Sequence, residues 1–118
     1  MTASLSEEEK SILVEAMALD EDQLYAEIGQ LAYDGALPIS FSEMMGEGRR
    51  WVRDRSADLR TAICPERKAI SSAVATGGSV VAAAQAAEVL GSQATGVSRV
   101  LLAALLVKIG IDTFCGEG

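Results

Sequence analysis

Apolar positions recur along most of this chain at the three-and-four spacing of helices. Ile12, Leu13, Ala16, Met17 and Leu19 form a first stripe, and Ser6 with Glu9 ahead of it has the spacing of a capping box. Asp20 with Gln23 repeats that start signal, and Leu24, Ile28 and Leu31 follow with Tyr25 and Ala32 beside them. Ser40 with Glu43 marks a third start, of a helix over about residues 41–63 that carries Met44, Met45, Trp51, Val52, Leu59 and Ile63. Gly46 and Gly48 weaken its first turns by about 1 kcal/mol each relative to Ala unless close packing needs them.

The punctuation between these stripes is as informative. Asp34-Gly35-Ala36-Leu37-Pro38 is a breaker. Cys64-Pro65-Glu66 ends the third helix and starts a short one over 66–75, because proline is tolerated at a first helical position. Thr76-Gly77-Gly78 stops that helix, and Ser79 caps another that runs to Leu90 with Gly91 as its stop. Ser92–Gly96 reads as a turn, Val97–Ile109 as the last helix, and Ile111–Gly118 as a tail docked through Ile111, Phe114 and Cys115. No strand pattern is present; Val80-Val81 sits among alanines. The expectation is an all-α single domain over residues 1–118, a compact irregular bundle of five or six helices. It comprises acidic N-terminal helices (6–33), a basic helix (41–63), an apolar helical hairpin (66–110) and a short tail (111–118).

Composition sharpens this picture in two ways. The chain is 49% hydrophobic but only 4% aromatic, so its core must be built from Ala, Leu, Val and Ile in closely packed helices. The net charge of −7 is divided unevenly, at −9 over residues 1–46, +3 over 47–70 and −1 over 71–118. Internal pairing of an acidic layer with a basic helix accounts for the asymmetry, and the acidic total disfavours nucleic acid.

Candidate chemistry is sparse. There is no histidine, which removes the commonest general base and metal ligand. Cys64 and Cys115 are too far apart in sequence for a zinc motif and too few for a disulfide scaffold. They read as reduced thiols of a cytoplasmic protein, with a Cys64–Cys115 thiol pair as the alternative, since Met1–Lys10 is acidic and lacks the apolar core of a signal peptide. Gly91-Ser92-Gln93-Ala94-Thr95-Gly96-Val97-Ser98 has the glycine spacing of a phosphate loop, but Val97 stands where lysine is needed. Glu7-Glu8-Glu9 and Asp20-Glu21-Asp22 occupy first turns, where carboxylates favour the helix dipole, and they lack the pattern of a calcium loop. No catalytic, cofactor or metal residue is therefore expected, and the protein is expected not to be an enzyme; a reactive Cys64 thiol is the residual catalytic option.

Two surfaces remain. Arg49, Arg50, Arg53, Arg55 and Arg60 lie on the basic helix, with Arg49, Arg53 and Arg60 on one face and Arg50 spaced to pair with Asp54. They are either a face paired with the acidic helices or a docking patch for an acidic protein partner formed by Arg49, Arg50 and Arg53. Trp51 is either core or that patch's anchor. Between Ala69 and Ile111 only Glu88, Arg99 and Lys108 are charged. A core hairpin is the plainest reading; a membrane-active hairpin is the alternative. The longest apolar run of the last helix, Val100–Val107, falls far short of the roughly 20 residues of a span. Alanine-rich helices also make a homo-oligomer plausible.

The ending Leu101-Leu102-Ala103-Ala104-Leu105-Leu106-Val107-Lys108-Ile109-Gly110-Ile111-Asp112-Thr113-Phe114-Cys115 resembles that of a group of small bacterial helical proteins that close on an LLVKIGLDxFC-like motif. Their aromatic-and-basic helix ending in Ile-Cys is similar to Trp51 through Ile63-Cys64, so the resemblance spans about residues 50–115. The chain departs from that pattern at Thr76-Gly77-Gly78. The resemblance implies a bacterial accessory protein, of the kind encoded beside peptidase or defence-type systems, and draws attention to Cys64 and Cys115 as packed thiols or a pair. It brings no activity with it. The resulting expectation is a non-enzymatic adaptor or effector-associated module that binds a protein partner.

Overall fold

The structure is a computed structural model that describes residues 5–33, 35, 39–91 and 98–116. Among them the chain is all-α. The helices are α1 (Glu7–Met17), α2 (Glu21–Ala32), α3 (Phe41–Asp54), α4 (Ser56–Ile63), α5 (Arg67–Leu90), α6 (Arg99–Ile109) and α7 (Ile111–Cys115). A 3-10 turn, Cys64–Glu66, joins α4 to α5.

Three starts are local events, written in four residues each. The Ser6 hydroxyl accepts from the Glu9 amide at 3.1 Å, and the Glu9 carboxylate accepts from the Ser6 amide at 3.1 Å. Asp20 and Gln23 make the same reciprocal pair at 2.7 and 3.0 Å. Ser40 and Glu43 make it at 3.2 and 3.5 Å. Each box satisfies two amides that the first turn would leave without partners.

The helix expected over 41–63 is two helices. The chain leaves helical geometry at Arg55 (φ −108°, ψ 7°), and the Ser56 hydroxyl donates to the Arg53 carbonyl at 2.9 Å. A short polar side chain competing for a backbone carbonyl is a known way to end a helix. The stop expected at Thr76-Gly77-Gly78 falls on Gly78, whose backbone (φ 89°, ψ 176°) is non-helical and interrupts α5. That conformation is open to glycine and strained for other residues. The breaker at 34–38 lies largely outside the described residues, as do the turn at 92–96 and the expected start of the last helix at Val97; α6 is described from Arg99.

α6 is the centre of the molecule. Val100 through Leu106 are all buried, and α1, α2 and α5 pack around it. A helix that is apolar on every face needs such surroundings. The hairpin of α5 and α6 is thus core, with Ala82, Ala83, Ala86 and Ala87 of α5 fully buried. α2 and α3 form a second, tighter pair, and α7 closes the opposite end against α4, α5 and α6. The docked tail is real: Ile111 and Phe114 are buried.

Candidate interaction surfaces

The basic helix faces two ways. Gly48, Trp51 and Val52 are its buried face, and Gly48 meets Gly29 of α2 where the two helices cross. A Cβ on Gly29 would run into the Met44 carbonyl oxygen, and one on Gly48 into that of Tyr25. Both glycines are there because backbone passes backbone at the crossing. Gly46 has nothing within 4 Å of where a Cβ would stand, so packing does not require it.

Trp51 belongs to the core rather than to an exposed patch: it is 7% exposed, and the Arg55 guanidinium lies 4.5 Å from its ring centroid. It cannot anchor a partner without leaving that position. Arg49 reaches across to α2, with its Nη2 2.8 Å from Asp22 Oδ1 and its guanidinium 4.6 Å from the Tyr25 ring. This is the pairing of basic helix with acidic layer that the charge asymmetry suggests. Burial raises the Tyr25 phenol above its ordinary pKa, against the opposing effect of Arg49. Arg50 pairs with Glu47 at 3.2 Å, one turn before it, rather than with Asp54. Arg53 lies 3.6 Å from Asp54 and is 74% exposed. Arg60 does not share their face, because the break at Arg55 reorients α4. Its Nε donates to the Phe114 carbonyl at 3.0 Å, and its guanidinium lies over the Phe114 ring.

Three further arrangements come from the fold, one of them the Cys64–Cys115 pair that the sequence offered as an alternative. Glu9 takes a bidentate contact from Arg99, with Nε to Oε2 at 2.8 Å and Nη2 to Oε1 at 3.0 Å. That bond and the Ser6 amide hold the Glu9 carboxyl at a pKa of about 2, and they raise Arg99. One glutamate therefore caps α1 and ties it to α6. At the other end, Cys64 and Cys115 form a disulfide with Cα atoms 5.7 Å apart, in place of the reduced thiols expected first, so Cys64 presents no reactive thiol in this structure. The fold brings the end of α4 and the end of α7 within bonding reach. Arg67 Nη1 donates to the Gly116 carbonyl at 3.2 Å beside it. An open groove of about 820 Å³ adjoins this junction, lined by Arg67, Lys68, Ser71, Ser72, Asp112 and Thr113. Finally, α5 is exposed at every position from Val74 to Val81.

Among the described residues no three His, Cys, Asp or Glu side chains gather as metal ligands would. Among the described residues the stretch long and apolar enough to cross a membrane, by length and composition, runs from Ser56 to Leu90 and not along α6, and a third of its most apolar part is buried. Comparison of the chain with family models, curated proteins and solved structures gives no match.

Proposed function

We propose that this protein is a non-enzymatic interaction module that docks an acidic protein surface through Arg50 and Arg53 of α3. The observation that supports this reading is the division of α3 into a locked face and a free one. Trp51, Val52 and Gly48 fix the helix against the core. Arg50 and Arg53 project from it, 61% and 74% exposed, held only by carboxylates of their own helix. Exposed ion pairs of this kind contribute about 0–1 kcal/mol, so carboxylates of a partner can replace Glu47 and Asp54 at little cost. Arg49, tied to Asp22, serves the fold first and the patch second. An accessory role in a bacterial system agrees with the resemblance of the C-terminal segment.

The test is a comparison of wild type with Arg50→Glu/Arg53→Glu, with circular dichroism as the control. Tagged wild type captures a partner from the native cell at mild salt, and the double variant keeps its helicity and loses the partner. Equal capture by both proteins refutes the arginine surface.

A membrane-active hairpin is the second reading, favoured by one observation, the apolar Ser56–Leu90 stretch with Val74, Val80 and Val81 exposed. Liposome flotation decides it: protein that stays at the bottom of the gradient with neutral and anionic vesicles excludes it.

A further inference from the structure

Two neighbouring grooves lie between the first half of α5 and the corner where α6 turns into α7. The larger, of about 820 Å³, is lined by Arg67 and Lys68 with Ser71, Ser72, Asp112 and Thr113. The other, of about 310 Å³, is lined by Val74, Val107 and Ile111, and again by Ser71, Asp112 and Thr113. The three shared residues join them into a cleft with unlike ends. Its cations line only the first groove, and its aliphatic side chains line only the second. Hydroxyls and one carboxylate stand between.

Both walls are fixed by the fold. Arg67, Ser71 and Val74 follow the four-and-three spacing of one helix stripe, with Lys68 and Ser72 beside it. All of them precede the break at Gly78, so the stripe lies on unbroken helix. Opposite, Gly110 (φ 102°) turns the chain from α6 into α7, and buried Ile111 and Phe114 and the Cys64–Cys115 bridge hold α7 in place. Arg67 Nη1 donates to the Gly116 carbonyl, which positions the guanidinium at the basic end. An arginine carries five N–H donors, so one such bond does not exhaust it. Lys68 beside it is exposed.

The order of groups along the cleft selects its ligand. Two adjacent cations call for an anion at one end, and the aliphatic side chains call for an apolar group at the other. Between them an alkyl chain would strip water from Ser71, Thr113 and Asp112 and give them no partner, which costs binding energy. A peptide backbone gives each a partner: its N–H groups donate to the Asp112 carboxylate, and its carbonyls accept from the hydroxyls. Asp112 also disfavours a second anionic group in the middle of the ligand. From Arg67 to Val74 the helix rises about 10 Å, the length of about three residues of extended peptide. We propose that the cleft between α5 and α7 binds the free C-terminus of a peptide. The α-carboxylate sits at Arg67 and Lys68, and an aliphatic side chain third from the end lies against Val74, Val107 and Ile111. The site shares no residue with the Arg50 and Arg53 surface and does not rest on that reading. An open cleft that takes only three residues is expected to bind in the range of about 50–500 μM.

The test is an NMR amide-shift titration of the isotope-labelled full chain with the peptide Gly-Ser-Gly-Leu-Ser-Ala, carried to about 5 mM so as to bracket that affinity. Saturating shifts are expected in 67–74 and 110–116. The same peptide with an amidated C-terminus, or with serine in place of leucine, is expected to bind roughly tenfold more weakly. Lys68→Glu, at an exposed position, should keep the dispersed spectrum of the folded protein and weaken the free-acid peptide by a similar factor. Val74→Asp should do the same from the apolar end, with Val74→Ser as the milder variant should Val74→Asp unfold. Absence of saturable shifts, or saturating shifts outside those two segments, overturns the proposal. So does equal binding of the amidated peptide, or a folded Lys68→Glu protein that binds like wild type. Sodium octanoate that fills the cleft more tightly than the peptide overturns it too, in favour of a fatty-acid site.

Discussion

Single residues carry distinct duties here, and the two glycines of α3 show it best. Gly48 sits where α2 backbone crosses, while Gly46 faces open space. Gly48→Ala is expected to destabilise by more than about 2 kcal/mol, since the helices must move apart. Gly46→Ala is expected to stabilise by about 0.5–1 kcal/mol, the ordinary gain of Ala over Gly inside a helix. Thermal melts of the two variants should therefore shift in opposite directions, although the residues stand two positions apart. The sequence showed both as weak points of a helix. Only the crossing tells them apart.

Glu9 carries a clear dependence of stability on acid pH. Its carboxyl has a pKa of about 2 in the folded protein, against an ordinary value of 4.5, through Arg99 and the Ser6 amide. A lowered folded-state pKa means stability fully present above the unfolded value and lost as pH falls through the window from 4.5 towards 2. With allowance for solvent screening at a partly exposed site, the loss is about 1–2 kcal/mol. Glu9→Gln should remove that part of the acid dependence. Chemical denaturation at pH 7 and pH 3 measures it: a steeper loss in wild type than in Glu9→Gln is the expected result.

At the scale of elements, α7 is held by more than its own hydrogen bonds. Five residues cannot sustain a helix in water. It is held by the buried Ile111 and Phe114, by Arg60 on the Phe114 carbonyl and Arg67 on that of Gly116 just beyond it, and by the disulfide. The bridge spans a sequence separation of 51 residues, and closing a loop of that size stabilises by about 2–4 kcal/mol. Reduction with a phosphine should lower the melting temperature, and Cys64→Ser should match the reduced wild type. A bridge also bears on compartment, because cytosolic thiols stay reduced. Thiol titration of protein taken rapidly from its native cell separates the two cases, with two free thiols marking the cytoplasm expected from the sequence and none marking an oxidising compartment.

For the molecule as a whole, α6 is the element around which the others are arranged. Leu105 is fully buried there, while Leu31, on the same apolar stripe of α2 as Leu24 and Ile28, is 51% exposed. Leu105→Ala is expected to cost about 2–5 kcal/mol, and Leu31→Ala less than about 0.5 kcal/mol. Urea unfolding of the pair would show the difference directly. Periodicity placed both leucines on helices at apolar positions. It could not say that Leu31, in the last turn of α2, is left half exposed while Leu24 and Ile28 are buried, because that depends on where α6 and α3 lie.

What the sequence by itself determined is local. The starts at Ser6, Asp20 and Ser40, the stops at Gly78 and Gly110, and the all-α class follow from side chains acting on backbone within four residues, or from residues whose backbone preferences need no tertiary partner. The tertiary structure decided everything that joins distant residues. It split the basic helix at Arg55, sent Trp51 inward, turned Arg60 towards Phe114, paired Glu9 with Arg99 and brought Cys64 to Cys115. It also left Val74–Val81 uncovered. The reason is common to all of these: a stripe of apolar residues specifies that a face is buried, but not against which helix, and charges choose partners only once packing has set their distances.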